Sequence, residues 1–379
     1  MLISIKQNSF TVSLLNSVFR TIRDVRLIKR DPAGNQSHTN VVVISLHRLG
    51  DTVFTIPAMK LLAAEFGDRL RVVCFKSSAA IYAKAMPDLE TTTLENKDFI
   101  SGRIARFSAR TKISKLNPGM IIDLTGVITS ASLIAAQKAV SITGLSEVIY
   151  AGFYTASVAH RTMPHLTDRY IDAIRDVVKR ANPDDVKMFP LSYTPKSGKI
   201  LICPFAGWEA KQWGMKKFLA LGIELSRNYR CVFIGEDGQF SGEDILRFTQ
   251  HNLEYIQLRS IAELMEAAER SSLFIGNDSG PLYIAVMLGV PTFSLYGPTN
   301  PEFSRPAGAH HRVFRSTIPC LPLQSEQYCR TDAGRKGCPS FDCMNLLESA
   351  SVISEVKNFI EELRNTCAYN IPETIPEER

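Results

Sequence analysis

Apolar, β-rich runs at residues 41–44, 70–75 and 120–124 alternate with segments whose apolar positions recur at helical spacing, such as Phe54, Ile56, Pro57, Met59, Leu61 and Leu62. Strands that are apolar throughout are buried on both faces, so this alternation predicts a parallel sheet covered by helices. A polar, breaker-rich stretch at 31–37 precedes the first run, and the folded body is expected to begin near Thr39. Polar and proline-bearing stretches between 181 and 198 read as an inter-domain connection. Beyond them the pattern starts again, with strands at 199–203, 231–234, 255–257 and 273–275 and helices at 216–228, 243–251 and 261–270. A last helix at 352–363 is expected to cross back toward the first domain, ahead of a fraying tail at 369–379. The expected division is an extension and linker at 1–38, an α/β domain at 39–190, a second at 191–350, and a helix with an acidic tail at 351–379.

Three of the predicted strands run into turns that can hold an anion. Ile275-Gly276-Asn277-Asp278-Ser279-Gly280-Pro281 opens a helix, followed by Leu288-Gly289-Val290-Pro291 and Tyr296-Gly297-Pro298-Thr299. A helix that starts there presents unpaired N–H groups and a partial positive charge to a phosphate, with Asp278 beside it to reach hydroxyls. The plainer reading is an ordinary strand-to-helix turn capped by Asp or Ser. Ser45 to Thr52 forms a similar entrance, with Gly50 and Asp51 at the helix start, and Leu201 to Trp213 is a strand leading to Lys211. Asp123-Leu124-Thr125-Gly126 ends another strand, where Asp123 is either a turn-stabilising acid or a second acidic group on the acceptor side.

These motifs resemble glycosyltransferase family 9, which contains the heptosyltransferases of lipopolysaccharide core assembly. The resemblance runs from about Asn40 to about Leu363 and rests on Leu49-Gly50-Asp51, on Pro204-Phe205-Ala206-Gly207 with Lys211-Gln212-Trp213, and on Asp278-Ser279-Gly280, Leu288-Gly289-Val290-Pro291 and Gly297-Pro298-Thr299. Two departures stand out: Tyr283 occupies the place of the family's usual His, and Phe205 interrupts the Pro-Gly order of the middle loop.

The resemblance implies an α/β fold of GT-B architecture, with two Rossmann-like domains facing each other across a cleft. It further implies an inverting, metal-independent sugar transfer from a nucleotide-sugar, ADP-heptose above all, to a lipopolysaccharide-core or other envelope glycan acceptor. In that scheme Asp51 is the general base, flanked on the acceptor side by Gly50, Thr52 and Asp123. The donor diphosphate meets Lys211 and backbone N–H groups near Ala206, Gly207, Ser279 and Gly280, which offset leaving-group charge. Asp278 takes the sugar hydroxyls, Tyr283 offers a hydroxyl donor, and Glu236 takes the ribose. The alternative is a non-catalytic sugar-nucleotide-binding or assembly protein of the same fold, for which Tyr283 is the one hint.

Composition narrows the partners. The chain has 379 residues, 45% hydrophobic, and no run near the roughly 20 apolar residues of a membrane-spanning helix, which with the absence of a secretory leader predicts a cytoplasmic protein. The net charge of +6 is spread out, without the basic and aromatic stripe of a nucleic-acid groove, so no nucleic acid is expected. Residues 8–30 concentrate a different signal. Phe10, Leu14, Leu15, Val18, Phe19, Ile22 and Val25 follow helical spacing among Arg20, Arg23, Arg26, Lys29 and Arg30. Such a helix either lies on the anionic surface of the inner membrane or docks on the protein. Cys320, Cys329, Cys338 and Cys343 crowd segment 319–344; the options are a structural Zn or Fe site and ordinary reduced thiols. Cys74, Cys203, Cys231 and Cys367 read as small core or surface residues.

Overall fold

The computed structural model describes residues 9–26, 39–135, 137–161, 165–180, 182, 198–323, 325–329, 338 and 340–365. The chain folds as two compact units, one comprising Met1–Arg161 with Leu166–Val186 and the other Thr162–His165 with Lys187–Arg379.

Unit 1 contains helix α1 (Ser9–Arg26), strand β1 (Asn40–Ser45), α2 (Leu49–Phe66), β2 (Leu70–Phe75), α3 (Lys76–Ala85), β3 (Glu90–Leu94), a short hairpin of β4 (Phe99–Ile100) and β5 (Ile104–Ala105), α4 (Phe107–Ser114), β6 (Pro118–Asp123), α5 (Ile128–Ile134), β7 (Ser141–Leu145), β8 (Ala156–Val158) and α6 (Leu166–Ile174). Its six-stranded parallel sheet runs β3-β2-β1-β6-β7-β8. Val41 to Ile44 are buried on both sides of the sheet, as their unbroken apolar run requires. Nearly every residue of α2 from Thr52 to Leu62 is buried, which places this helix inside its layer rather than at the surface.

Unit 2 repeats the plan with β9 (Lys199–Cys203), α7 (Met215–Leu225), β10 (Cys231–Glu236), α8 (Gly242–Gln250), β11 (Glu254–Leu258), α9 (Ile261–Glu269), β12 (Ser271–Asn277), α10 (Gly280–Met287), β13 (Thr292–Tyr296), β14 (His311–Arg315), α11 (Asp342–Asn345) and α12 (Ser349–Asn365). The strand order is β11-β10-β9-β12-β13-β14, again all parallel. Both sheets therefore have the doubly wound order in which the chain reverses direction beside its first strand. The expected final helix packs within unit 2: Val352, Val356, Phe359, Ile360 and Leu363 enter its core, and Lys357 Nζ donates to Glu224 of α7 at 2.6 Å.

Among the described residues no helix is long and apolar enough to cross a membrane. The expected amphipathic helix does form as α1, and it docks on the protein. Phe19 stacks on Phe153 at 4.1 Å between ring centroids, and Phe19 and Ile22 pack against the unit 1 core. Asn16 is buried and bridges two backbone groups of the single turn Val148–Phe153: its Nδ2 donates to Val148 O at 2.9 Å, and its Oδ1 accepts from Gly152 N at 2.6 Å. Gly152 permits the approach, because a Cβ there would sit 2.4 Å from Asn16 O. Leu14, Val18 and Val25 stay exposed on the helix's outer side.

This docking rests on one side chain more than on helix propensity. Asn16→Ala would leave a buried N–H and a carbonyl unpaired, at a cost of about 1–3 kcal/mol. Amide hydrogen exchange across residues 9–26 should accelerate by one to two orders of magnitude in that variant, on the order expected from such a loss; unchanged exchange would show that Asn16 does not hold the helix.

Candidate active site

In a doubly wound sheet, loops leaving the carboxyl ends of the two strands at the reversal point diverge and open a crevice for a ligand. In unit 2 those strands are β9 and β12. Asn277, the last residue of β12, is wholly buried and ties the two loops together: its Nδ2 donates to Pro204 O at 2.8 Å and its Oδ1 accepts from Trp213 N at 3.1 Å. Trp213 is in turn anchored through Nε1 to Leu347 O at 2.8 Å. The inserted Phe205 packs against Phe240, with ring centroids 5.2 Å apart, and over Gly235, where a Cβ would meet the Phe205 ring at 2.6 Å. The insertion thus fastens the loop to β10.

This bracing carries Lys211 to Asp278. The ammonium lies 2.7 Å from Asp278 Oδ2 and 5.6 Å from the centroid of the Trp208 ring. Thr299 Oγ1 donates to the same oxygen at 2.6 Å, and the Tyr283 hydroxyl donates to Oδ1. The Tyr283 and Tyr296 hydroxyls are 3.1 Å apart, and Tyr296 and Ser304 hydroxyls 3.3 Å apart, so a buried row of hydroxyls runs inward from the carboxylate. Burial pushes the Asp278 pKa up; the Lys211 charge and the hydrogen bonds from Lys211, Thr299 and Tyr283 more than offset it and hold the carboxyl below its ordinary value. Burial first and the Asp278 charge second push both phenols up, so they stay neutral donors.

Two of the expected donor-site residues are engaged within the fold. Asp278 is only 2% exposed and accepts from three side chains, one of them Lys211, which it anchors. Tyr283 points its hydroxyl at Asp278, not outward to a phosphate. The Lys211 side chain keeps 20% of its surface exposed and can still meet an anion. Beside it α10 begins after Ser279, with proline in its first turn, and the Ser279 hydroxyl oxygen is buried with no hydrogen-bond partner among the described residues. Ala206 and exposed Gly207 lie in the loop after β9, where Gln212 Nε2 donates to Ala206 O at 3.0 Å. Glu236 ends β10 in an exposed position. An acid after the second strand of a doubly wound sheet is where a nucleotide ribose is met.

The corresponding strands of unit 1 are β1 and β6. Leu46 N donates to Thr125 Oγ1 at 2.8 Å, and Leu124 N to Ile44 O at 2.9 Å, so the two loops are locked side by side. Asp51 stands in the first turn of α2, half-buried, and no side-chain hydrogen bond or ion pair holds its carboxylate among the described residues. Gly50 precedes it in the same turn. Sequence reasoning passed over the surroundings: His47, whose ring meets Tyr170 edge-on at 5.2 Å and whose Nε2 lies 3.1 Å from Leu124 O, with Arg169 close by. Burial pushes His47 down to about 4 despite the raising effect of the Asp51 charge, so a neutral imidazole accompanies the carboxylate at neutral pH. The signal was present, since His47 sits four residues before Asp51 in the same strand-to-helix turn.

Thr52 and Asp123 do not belong to an acceptor surface. Thr52 is wholly buried, and its hydroxyl donates to Arg48 O at 2.9 Å within the helix. Asp123 is also wholly buried: Oδ1 accepts from Thr125 N at 2.8 Å and Gly126 N at 3.2 Å, and Oδ2 accepts from the Tyr154 hydroxyl at 2.6 Å. It is the turn-stabilising acid. Burial pushes its carboxyl up to about 6, against these hydrogen bonds.

The four clustered cysteines converge on one cavity of about 60 Å³ together with Pro298 and Ala210. None of the four is in a disulfide, and burial, with the other three thiols nearby, pushes Cys343 up to about 12. Among the described residues no group of three or more His, Cys, Asp or Glu side chains is placed to hold a metal ion. Cys74, Cys203 and Cys231 are buried as expected, and Cys367 lies outside the described residues.

Comparison with known proteins places the fold among known ones. The sequence profile described as glycosyltransferase family 9 (heptosyltransferase) matches residues 106–332. Lipopolysaccharide heptosyltransferase 1 of Pseudomonas aeruginosa is 22% identical over 320 residues, which cover 78% of this chain and 90% of that protein. Among solved structures, a family 9 glycosyl transferase from Veillonella parvula superposes with a TM-score of 0.67 at 20% identity, covering 87% of this chain and 99% of that one. The E. coli heptosyltransferase WaaC with ADP gives a TM-score of 0.60 at 15% identity, with the same coverage. Both likenesses show the two-sheet GT-B fold.

The Asp123 assignment has a measurable sign. A folded-state pKa raised to about 6 means that this group's contribution to stability is fully present below the unfolded value and is lost as pH rises through about 6. Compared with Asp123→Asn, which does not titrate there, the wild-type protein should gain about 1–2 kcal/mol in unfolding free energy from about pH 8 to about pH 5. Denaturant titrations at the two pH values check this; a constant difference would mean that Asp123 titrates normally.

Proposed function

The chain belongs to glycosyltransferase family 9, the heptosyltransferase family, and on that premise we propose that it transfers heptose from ADP-heptose, with inversion and with no metal at the reaction centre, to a lipopolysaccharide-core or other envelope glycan acceptor. The observation that carries the reading is the Lys211–Asp278 pair, braced beside the start of α10 at the reversal point of the unit 2 sheet, next to an unpartnered Ser279 hydroxyl. A diphosphate placed there meets the two remaining N–H groups of Lys211, the Ser279 hydroxyl, and backbone N–H groups of Ala206, Gly207, Ser279 and Gly280. Those donors take up the charge that develops on the departing ADP. Glu236 accepts from the ribose hydroxyls. The ADP bound to E. coli WaaC supports the choice of base.

Asp51 serves as the general base that removes the acceptor hydroxyl proton, its carboxylate unpaired among the described residues and accompanied by neutral His47. Tyr283 does not argue for lost turnover, because its hydroxyl has a defined task in holding Asp278. A glycolipid acceptor is anchored in a bilayer, so the reading includes peripheral contact of residues 8–30 with the cytoplasmic face of the inner membrane, through the exposed Leu14, Val18 and Val25.

Asp51→Asn should lower kcat by about two orders of magnitude or more while leaving ADP-heptose affinity within about twofold. Full activity would remove Asp51 from the mechanism. For the donor site, Lys211→Ala alone would strand a buried charge, so the informative variant is Lys211→Met with Asp278→Asn. In thermal-shift titrations wild type should be stabilised by ADP more than by UDP or GDP, and the double variant should lose that shift. Equal shifts for the three nucleotides would overturn the assignment of the base.

A further inference from the structure

One layer of unit 1 holds nearly all of its exposed large apolar side chains. Leu14, Val18 and Val25 project from α1, Ile100 and Ile104 from the β4–β5 hairpin, and Phe107 from the first position of α4, where it is 84% exposed. Val148, in the turn on which α1 docks, joins them. Among the described residues of this unit only Val158 is an exposed large apolar side chain elsewhere, and α2, α3 and α6 contribute none.

The hairpin is built to present its isoleucines. Phe99 and Ala105 pair across the strands and point into the core, so Ile100 and Ile104, the next cross-strand pair, point out. Positive φ at Ser101 and Gly102 closes the tight turn between them. Ala105 N donates to Ser132 Oγ at 2.9 Å, and that hydroxyl donates to Arg103 O at 3.4 Å, which fastens the hairpin to α5. Arg103 lies close enough to Tyr150, in the turn under α1, for its charge to act on that phenol. Hairpin, turn and α1 are therefore continuous.

Charge runs with the apolar groups. From Phe99 to Ile122 the sequence contains Arg103, Arg106, Arg110, Lys112 and Lys115 and no carboxylate. Arg103 and Arg106 are exposed and alternate with Ile104 and Phe107. The carboxylates beside these groups among the described residues include Asp24, paired with Arg23 at 2.7 Å, buried Asp98, held by Lys112 at 3.0 Å, Glu95, paired with Lys76 and Lys97, and exposed Glu147. Exposed arginines interleaved with isoleucine and phenylalanine suit the boundary of an anionic bilayer, where apolar side chains enter the acyl region and guanidinium groups stay among the phosphates.

We infer that this layer is a docking surface for an anionic phospholipid bilayer, centred on the β4–β5 hairpin and Phe107 with α1 as its flank. The inference deepens the membrane contact proposed above and rests on it, moving the principal contact from residues 8–30 to residues 100–107. The full chain is to be co-sedimented with vesicles of phosphatidylcholine alone and of phosphatidylcholine mixed with phosphatidylglycerol. Wild type should bind the mixed vesicles and lose binding as salt is raised. Ile104→Asp with Phe107→Asp should weaken that binding by about tenfold or more, as should Arg103→Glu with Arg106→Glu, while Leu14→Asp with Val18→Asp weakens it by only about two- to threefold. Circular dichroism checks that each variant is folded. Hairpin variants that bind like wild type while the α1 variant fails would sink this inference and keep the α1 contact. Wild type that binds neither vesicle would sink both, and loss of self-association in the Phe107 variant during gel filtration would identify a second copy as the occupant instead.

Discussion

Asp278 gives up nearly all contact with water when unit 2 folds, and a lone carboxylate so treated costs the fold several kcal/mol unless it is paired and fully hydrogen-bonded. The rest of the Lys211–Asp278 cluster follows from meeting that demand. Lys211 must arrive within hydrogen-bond reach, so the loop after β9 must be held against β12, and Asn277, Trp213 and Phe205 do the holding. Thr299 must close from the segment after β13, and Tyr283 from α10. Three separate stretches of chain are thus drawn to one point by a single charge. The lysine fixed there lies where the sheet's winding reverses, which is where a doubly wound domain binds its ligand.

The two units repeat one strand order yet differ in what their crevices hold. In unit 2 the acid after β12 is neutralised from within, and the cation faces outward. In unit 1 the acid that ends β6, Asp123, is sealed into its own turn, and Asp51 at the start of α2 has no side-chain hydrogen bond or ion pair among the described residues.

The fold was legible where apolar runs were continuous. Residues 41–44, 70–75, 199–203 and 231–234 are central strands, and their burial on both faces leaves an unmistakable pattern. Strand β7, with threonine and glycine in its middle, and the two-residue strands of the hairpin carry too little periodicity to be read from sequence. At the site, residue identity was legible but role was not. Lys211 and Asp278 lie 67 positions apart, and nothing in either motif says that each is the other's partner. The same holds for Asp123, whose burial depends on Tyr154 thirty-one residues later. For α1, spacing showed an apolar stripe, but only the docking of Asn16 and Phe19 decided which part of it faces inward.

The phenol at position 283 sets what the anchor senses. An imidazole touching Asp278 would gain or lose a proton within the range of cellular acidity, and the net charge beneath the bound lysine would change with it. The row from Tyr283 to Ser304 contains only hydroxyls, and its two phenols are held further from ionisation than free tyrosine. The foundation under Lys211 is therefore electrically constant, and a proton concentration that varies with growth conditions leaves it unaltered.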